Sequence, residues 1–219
     1  MRMIAVLLAL SFLVGCKRES VGPGPIVAHD KDDKTPVEKP DDKKKDPPAP
    51  EKPTDWAKEI ETLKPVEPVD CEKLLPLLPK APAGYQTQDA FADSAEFVAM
   101  PYETNMTYTI KYGFAEGIYR NGDKSLTVKI LDTARIDAFY KWIPESAGLK
   151  SETEQGYKKF LTIDGNPSLE KYSTEDKRGD LTVMVAKRFQ IEIIAKGVPP
   201  EFVQSVLKGI DRKALATLK

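Results

Sequence analysis

Residues 105–132, NMTYTIKYGFAEGIYRNGDKSLTVKILD, decide the fold class. Met106, Tyr108, Ile110 and Tyr112 alternate with Thr107, Thr109 and Lys111, the period-two signature of a half-buried strand. Gly113 interrupts the pattern as a bulge or turn, and residues 114–120 resume extended. Asn121-Gly122 predicts a tight hairpin, because both central residues of a type I′ turn need positive φ. Leu126, Val128 and Ile130 then alternate in the return strand. The stretch reads as a β-meander with one face on a core.

Downstream, Asp132 or Thr133 is placed to cap a helix whose Ile136, Phe139, Tyr140 and Ile143 share a face, with Pro144 ending or kinking it. A second meander is expected from residues 157–163, an Asp164-Gly165 turn, residues 168–173, and alternating Leu181, Val183 and Val185. A turn near Ala186–Arg188 leads to Phe189, Ile191 and Ile193. Pro199-Pro200 starts a helix with Phe202, Val203, Val206, Leu207 and Ile210 inward, and Asp211 caps a last turn with Leu215 and Leu218. Upstream, Asp70 caps a helix through Leu74, Leu75, Leu77 and Leu78 that Pro76 distorts, and Pro79, Pro82 and Gly84 form a bend. Residues 85–104 carry no clear period, and 97–100 is their best strand segment. The order α, β-meander, α, β-meander, α gives an α+β domain over residues 69–219: an antiparallel sheet of two β-meanders with helices packed on a face. Sixteen of the chain's 18 aromatics fall in this span. About 150 residues can bury about 70% of their unfolded surface, enough for a self-sufficient core.

Residues 16–68 read differently. Residues 17–68 hold ten of the 18 prolines and 24 charged residues, 11 basic and 13 acidic. Such a segment cannot offset its ordering entropy, so a disordered tether is expected, with a reach between roughly 40 Å as a coil and about 160 Å if extended. Asp41, Asp42 and Asp46 flank the Lys43-Lys44-Lys45 run and make it a solvated spacer rather than a basic membrane patch. Within the tether, Trp56, Ile60 and Leu63 recur at i, i+4 and i+7 behind a Thr54 cap, giving a short amphipathic helix over 54–63. Docking on the domain, contact with a partner and a nascent helix without a role all fit that pattern.

Arg2 precedes an apolar run from Met3 to Val14. Twelve helical residues span about 18 Å, short of a hydrocarbon core of about 30 Å, so this is a signal-peptide core and not a membrane span. The run ends in Leu13-Val14-Gly15-Cys16, which resembles the bacterial lipobox. The resemblance implies cleavage of residues 1–15 after Gly15 and lipidation of Cys16. Several acyl chains anchor stably where one would be marginal. The expected location is the bacterial cell envelope, on the outer membrane facing the periplasm in a Gram-negative cell, since Lys17 rather than Asp follows the cysteine.

The composition excludes much chemistry. His29 is the only histidine and sits on the tether, so neither a Ser-His-Asp triad nor a histidine metal site can form. No G-x-G-x-x-G or Walker loop occurs, and no cofactor is expected. A net charge of −1 argues against a nucleic-acid partner. A carboxylate pair of the glycosidase type remains open from Asp132, Asp164, Glu170 and Glu192. Each has a local explanation as a cap (Asp132), a turn (Asp164) or a solvent-facing strand position (the two Glu), so loss of any one is expected to cost at most about 1 kcal/mol. Cys71, the other cysteine, is expected as a buried thiol beside Leu74 and Leu75, an intermolecular disulfide being its other use. Tyr108, Tyr112, Tyr119 and Tyr172 fit sheet packing or a ligand groove. Arg120, Lys187 and Arg188 lie near turns, where solvation or anion binding would place them.

The segment Leu77–Tyr85 (Leu-Leu-Pro-x-x-Pro-x-Gly-Tyr), the strand 126–132 and the Lys-Arg-Phe hairpin before the final helix resemble exported bacterial domains without assigned function. The sheet-and-helix order is similar to PsbP/Mog1-like sandwiches, which implies a binding scaffold. Two functions follow as expectations. One is a membrane-anchored lipoprotein with a non-catalytic binding or structural domain, meeting the membrane through Cys16 and an envelope protein or the cell wall through the domain. The alternative is an envelope hydrolase using a carboxylate pair.

Overall fold

The computed structural model describes residues 56–99 and 108–219; Gly15, Cys16, His29, Thr54 and Met106 lie outside them. The chain divides into units Met1–Pro50 and Glu51–Lys219, and the described residues all belong to the second.

Among the described residues, eight strands form one antiparallel sheet: β1 (Gln86–Ala99), β2 (Tyr108–Asn121), β3 (Lys124–Asp132), β4 (Lys150–Thr153), β5 (Gly156–Ile163), β6 (Asn166–Ser173), β7 (Arg178–Val185) and β8 (Phe189–Lys196). Their spatial order is β1-β2-β3-β8-β7-β6-β5-β4. The two meanders meet where β3 pairs with β8, from Ser125↔Lys196 to Asp132↔Phe189. The described helices are short: α1 (Trp56–Glu61), α2 (Trp142–Ser146), α3 (Phe202–Lys208) and α4 (Arg212–Thr217), with 3₁₀ turns at Cys71–Lys73, Leu75–Leu77 and Asp137–Phe139. The described domain is therefore mostly β.

Helices cover both faces of the sheet, not one. On the first face, Leu126, Val128 and Ile130 of β3, Leu181 and Val183 of β7, and Ile191 and Ile193 of β8 pack under Val203, Val206 and Leu207 of α3 and Leu215 of α4. Burying each such side chain contributes about 1.5–3 kcal/mol. On the opposite face a smaller cluster joins Tyr140, Ile143 and Met184 to Trp56, Ile60, Leu63, Trp142 and Phe160. Asp211 caps α4 as expected, accepting from the amides of Lys213 and Ala214.

Several local expectations change for physical reasons. Gly113 does not interrupt β2. With Ala115 and Gly117 it is buried on the first face, and a Cβ at Gly113 would lie 3.3 Å from Cys71 Cβ. Small residues here admit the 3₁₀ turn, and the space over Gly117 holds the Tyr119 ring, whose hydroxyl donates to the Pro79 carbonyl at 2.7 Å. The hairpin turns at Gly122-Asp123, one residue later than Asn-Gly predicts, with Gly122 at φ 55° in the Gly-first pattern of a type II′ turn. The helix expected after Asp132 shrinks to a 3₁₀ turn and α2, because Asp132 and Thr133 are engaged elsewhere. Pro144 sits in the first turn of α2, where its missing amide has no helical partner to lose.

β1 and β4 are the sheet edges; the sequence pattern found only the 97–99 end of β1 and missed β4. The pair Asn121↔Lys124 closes a two-residue hairpin, so odd-numbered residues of β2 bond to β3 and even-numbered ones to β1. Bonded pairs such as Phe91↔Glu116 then leave Ala90 and Ser94 turning their amides outward. Those two amides donate to the Asp89 and Asp93 carboxylates at 2.9 and 2.7 Å. The edge thus carries its own acceptors and a negative charge against strand addition. Asp89→Ala with Asp93→Ala should bring on concentration-dependent self-association in sedimentation velocity; a variant that sediments like the unmodified chain at every concentration would show that the carboxylates do not guard the edge.

Candidate functional site

The end of the sheet where β3 stops and β8 starts gathers the most specific chemistry in the domain. Asp132, 0% exposed, accepts from Arg188 Nε at 2.9 Å, Arg188 Nη2 at 2.8 Å, the Val69 amide at 2.7 Å and the Ala134 amide at 2.9 Å. Arg188 Nη2 also donates to the Glu67 carbonyl at 2.9 Å, and the Val66 amide donates to the Ala134 carbonyl at 2.9 Å. Residues 66–69 are thereby strapped across the sheet end. Asp132 is a structural anchor and not the peripheral cap expected of it.

Two turns face each other beside this anchor. Ala134 and Arg135 have φ of 49° and 57°, closed by the Ile136 amide on the Thr133 carbonyl; Ala186 and Lys187 both have φ of 52°. The left-handed region costs about 1–2 kcal/mol for a residue with a Cβ. The surroundings hold it in place. Thr133 donates its amide and its Oγ1 to the Arg188 carbonyl, at 3.0 and 2.6 Å, and the Tyr140 hydroxyl donates to the Lys187 carbonyl at 2.8 Å. The two hydroxyls lie 2.9 Å apart, so two protons serve three contacts. Burial, chiefly, pushes the Tyr140 phenol up, against the lowering effect of the Thr133 hydrogen bond.

Outside this framework lies α1. Trp56, Ile60 and Leu63, each half-buried, rest on Tyr140, Ile143 and Met184, and Lys187 Nζ meets Glu59 Oε2 at 3.0 Å. A cavity of about 120 Å³ remains between helix and sheet, lined largely by these apolar side chains and Pro167. On the other side of Leu63 an open groove of about 820 Å³ runs past Pro65, Pro68, Ile110, Lys111 and Arg135. Arg135 Nε is buried without a hydrogen-bond partner among the described residues. The amphipathic pattern of Trp56, Ile60 and Leu63 thus resolves as docking, and residues 56–68, read as tether from composition, pack on the domain. Proline and charge content made them look solvated, while the partners that hold them come from residues 132–188.

The four candidate carboxylates do not converge. Asp164 sits in the β5–β6 turn, bonded to Arg212 Nη2. Glu170 is 4% exposed on the first face, not solvent-facing, because the β6 register sets it opposite Lys159 and Leu181 beside α3. There it accepts from the Tyr157 hydroxyl and Gln204 Nε2, and burial followed by Glu170 pushes the Tyr157 phenol well above its usual range. Glu192 lies on the opposite face, accepting from Gln190 Nε2 at 2.6 Å, while Gln190 Oε1 accepts from Trp142 Nε1 at 3.1 Å. No group of three or more His, Cys, Asp or Glu among the described residues could hold a metal.

The remaining candidates have packing or hydrogen-bonding roles. Tyr112 meets Phe139 edge-on at 5.6 Å, and Tyr172 stacks on Tyr157 and donates to the Val198 carbonyl at 3.0 Å. The side chain of Tyr108 lies outside the described residues. Arg120 Nε donates to Gln88 Oε1 at 3.2 Å, and Lys187 and Arg188 are engaged by Glu59 and Asp132, so the three basic residues form no common anion site. Cys71 is a free thiol, half-buried rather than fully buried. None of the described helices is long and apolar enough to cross a membrane. No family model, curated protein or solved structure matches the chain.

Removing one partner of a buried ion pair strands the other charge, which costs about 3–5 kcal/mol. Asp132→Asn should lower the urea midpoint by the equivalent of about 3 kcal/mol at unchanged slope, and Asp164→Asn by under about 1 kcal/mol. Equal, small losses in both would show that the strap does not depend on Asp132.

Proposed function

We propose that the chain is a membrane-anchored envelope lipoprotein whose domain binds or braces a partner without catalysis. In this reading Cys16, at the end of the Leu13-Val14-Gly15-Cys16 lipobox, carries the anchor, and the tether gives the domain its reach. The anchor lies on the outer membrane, facing the periplasm in a Gram-negative cell. The domain's partner is an envelope protein or the cell wall.

The separation of the four carboxylates carries the non-catalytic part. A carboxylate-pair hydrolase needs two acids within about 5–10 Å across one cleft. Here Glu170 and Glu192 lie on opposite faces of the sheet, Asp132 is saturated by four donors, and Asp164 is bonded to Arg212 in a turn. The features the site does offer are a rigid turn pair, an apolar cavity and a helix at its mouth. These suit recognition.

In cells fed labelled palmitate, the unmodified chain should take up label and Cys16→Ser should take up none; label on the variant would refute the anchor. In-cell crosslinking with mass spectrometry tests the domain. Asp164→Asn with Glu192→Gln should keep the partner set of the unmodified chain, and deletion of residues 30–53 should lose it. Asp132 and Glu170 are poor probes of function, since removing either carboxylate disturbs the fold. Lost activity in the double carboxylate variant, at normal abundance and stability, would favour the hydrolase.

A further inference from the structure

α1 has six residues, well short of the roughly 12–15 a helix needs to persist alone in water. Its apolar anchors Trp56 and Ile60, and Leu63 just beyond its end, are only half-buried, and its ion pair from Glu59 to Lys187 joins side chains that are 36% and 51% exposed, a geometry that contributes little. The surface beneath it is the reverse. With α1 in place Tyr140, Ile143 and Met184 are at most 2% exposed, and the Lys187 turn is pinned by the Tyr140 hydroxyl.

Between loose helix and rigid seat, about 120 Å³ stays unfilled. That approaches the about 150 Å³ of an apolar cavity that accepts benzene. Atoms lining such a gap forgo the dispersion contacts a fuller side chain would give. A well-built seat therefore holds an occupant that fits it incompletely.

The strap sets what can move. Val66, Glu67 and Val69 are bonded to Ala134, Arg188 and Asp132, so residues 66–69 stay in place when α1 leaves. Release of α1 therefore requires rotation only in the chain between Leu63 and Val66.

We propose that the α1 seat is a helix-binding groove, filled in cis by α1 and open in trans to an amphipathic helix of a partner protein. The chemistry of that helix is written in α1: large apolar residues at the positions of Trp56, Ile60 and Leu63, and a carboxylate at the position of Glu59 to meet Lys187. This is helix-in-groove recognition with i, i+4, i+7 anchors. Side chains bulkier than Ile60 or Leu63 gain the unfilled volume. The cis helix lowers the apparent affinity of any partner by the fraction of time it holds the seat. Its release lengthens the proposed tether by residues 56–65, so partner binding and reach are coupled. The groove gives the proposed binding domain a definite site, yet it requires no lipid anchor; failure in solution leaves the palmitate result intact, and failure of the palmitate test leaves the groove intact.

The probe is a fluorescein-labelled peptide of residues 54–65, titrated by anisotropy against the full chain and against Trp56→Ala with Ile60→Ala, which vacates the seat. The vacated chain should bind at least fivefold more tightly than the unmodified chain. Lys187→Glu in the vacated chain should weaken binding severalfold, and a peptide carrying Glu59→Lys should recover it. Glu59→Lys in the full chain breaks the ion pair to Lys187 and leaves the apolar anchors unchanged; it should raise affinity for the unmodified peptide by about twofold or more and serves if the double variant loses its cooperative thermal transition. Absence of saturable binding, or an affinity that neither vacating the seat nor repelling α1 improves, overturns the groove. So does binding indifferent to the charge at position 187, because the peptide then does not lie as α1 lies.

Discussion

Asp132 has no contact with solvent, and its two oxygens are filled by the Arg188 guanidinium and two backbone amides. A charge buried in this way is tolerable only when its partner and its hydrogen bonds are all in place. That condition ties four parts of the chain to one point: the end of β3, the start of β8, the turn at Ala134-Arg135 and the strap at residues 66–69. The strained turns, the pinned Lys187 carbonyl and the seat of α1 all stand on that framework. The pair is less a source of net stability than a source of specificity, since an arrangement missing any of the four leaves a charge or an amide unsatisfied. It also marks a contrast in packing, the strap being bonded to buried groups while the helix before it rests on partly exposed contacts.

Strands that bury one face through branched aliphatic or aromatic side chains were legible in the sequence. Leu126, Val128 and Ile130, Leu181, Val183 and Val185, and Phe189, Ile191 and Ile193 lie on the core side as their alternation predicts. Strands whose residues serve a neighbour's packing or an edge were not. β1 carries Ala, Asp and Ser because its outer side meets water, and the buried side of β2 is Gly113, Ala115 and Gly117 because a 3₁₀ turn and the Tyr119 ring need the room. The more apolar row of β2, with Ile110 and Tyr112, lies instead on the opposite face beside Phe139.

The site was less legible than the fold. Asp132 and Arg188 are 56 residues apart and meet only because β3 pairs with β8, a long-range choice that no local pattern encodes. Asp132 has the composition of a cap and Arg188 that of a solvated turn residue, so each had a sufficient local explanation. Glu170 misled for a related reason: strand alternation assigns two faces, but not which face a helix will cover. The α1 pattern was visible in Trp56, Ile60 and Leu63, whereas its seat is assembled from Tyr140, α2, β7, Pro167 and the Ala186-Lys187 turn.

Native-state hydrogen exchange measures the rigid clamp of Asp132, Arg188 and the strap together with the loosely held helix beside it. The amides of Val69 and Ala134 donate to the buried Asp132 and should exchange only through global unfolding, with the same free energy as the β8 core amides. The amide of Leu63, bonded to the Ile60 carbonyl at 3.0 Å at the end of α1, should exchange at least a hundredfold faster through local release. Val69 and Ala134 exchanging as fast as Leu63 would contradict the clamp, and Leu63 as protected as β8 would contradict the releasable helix.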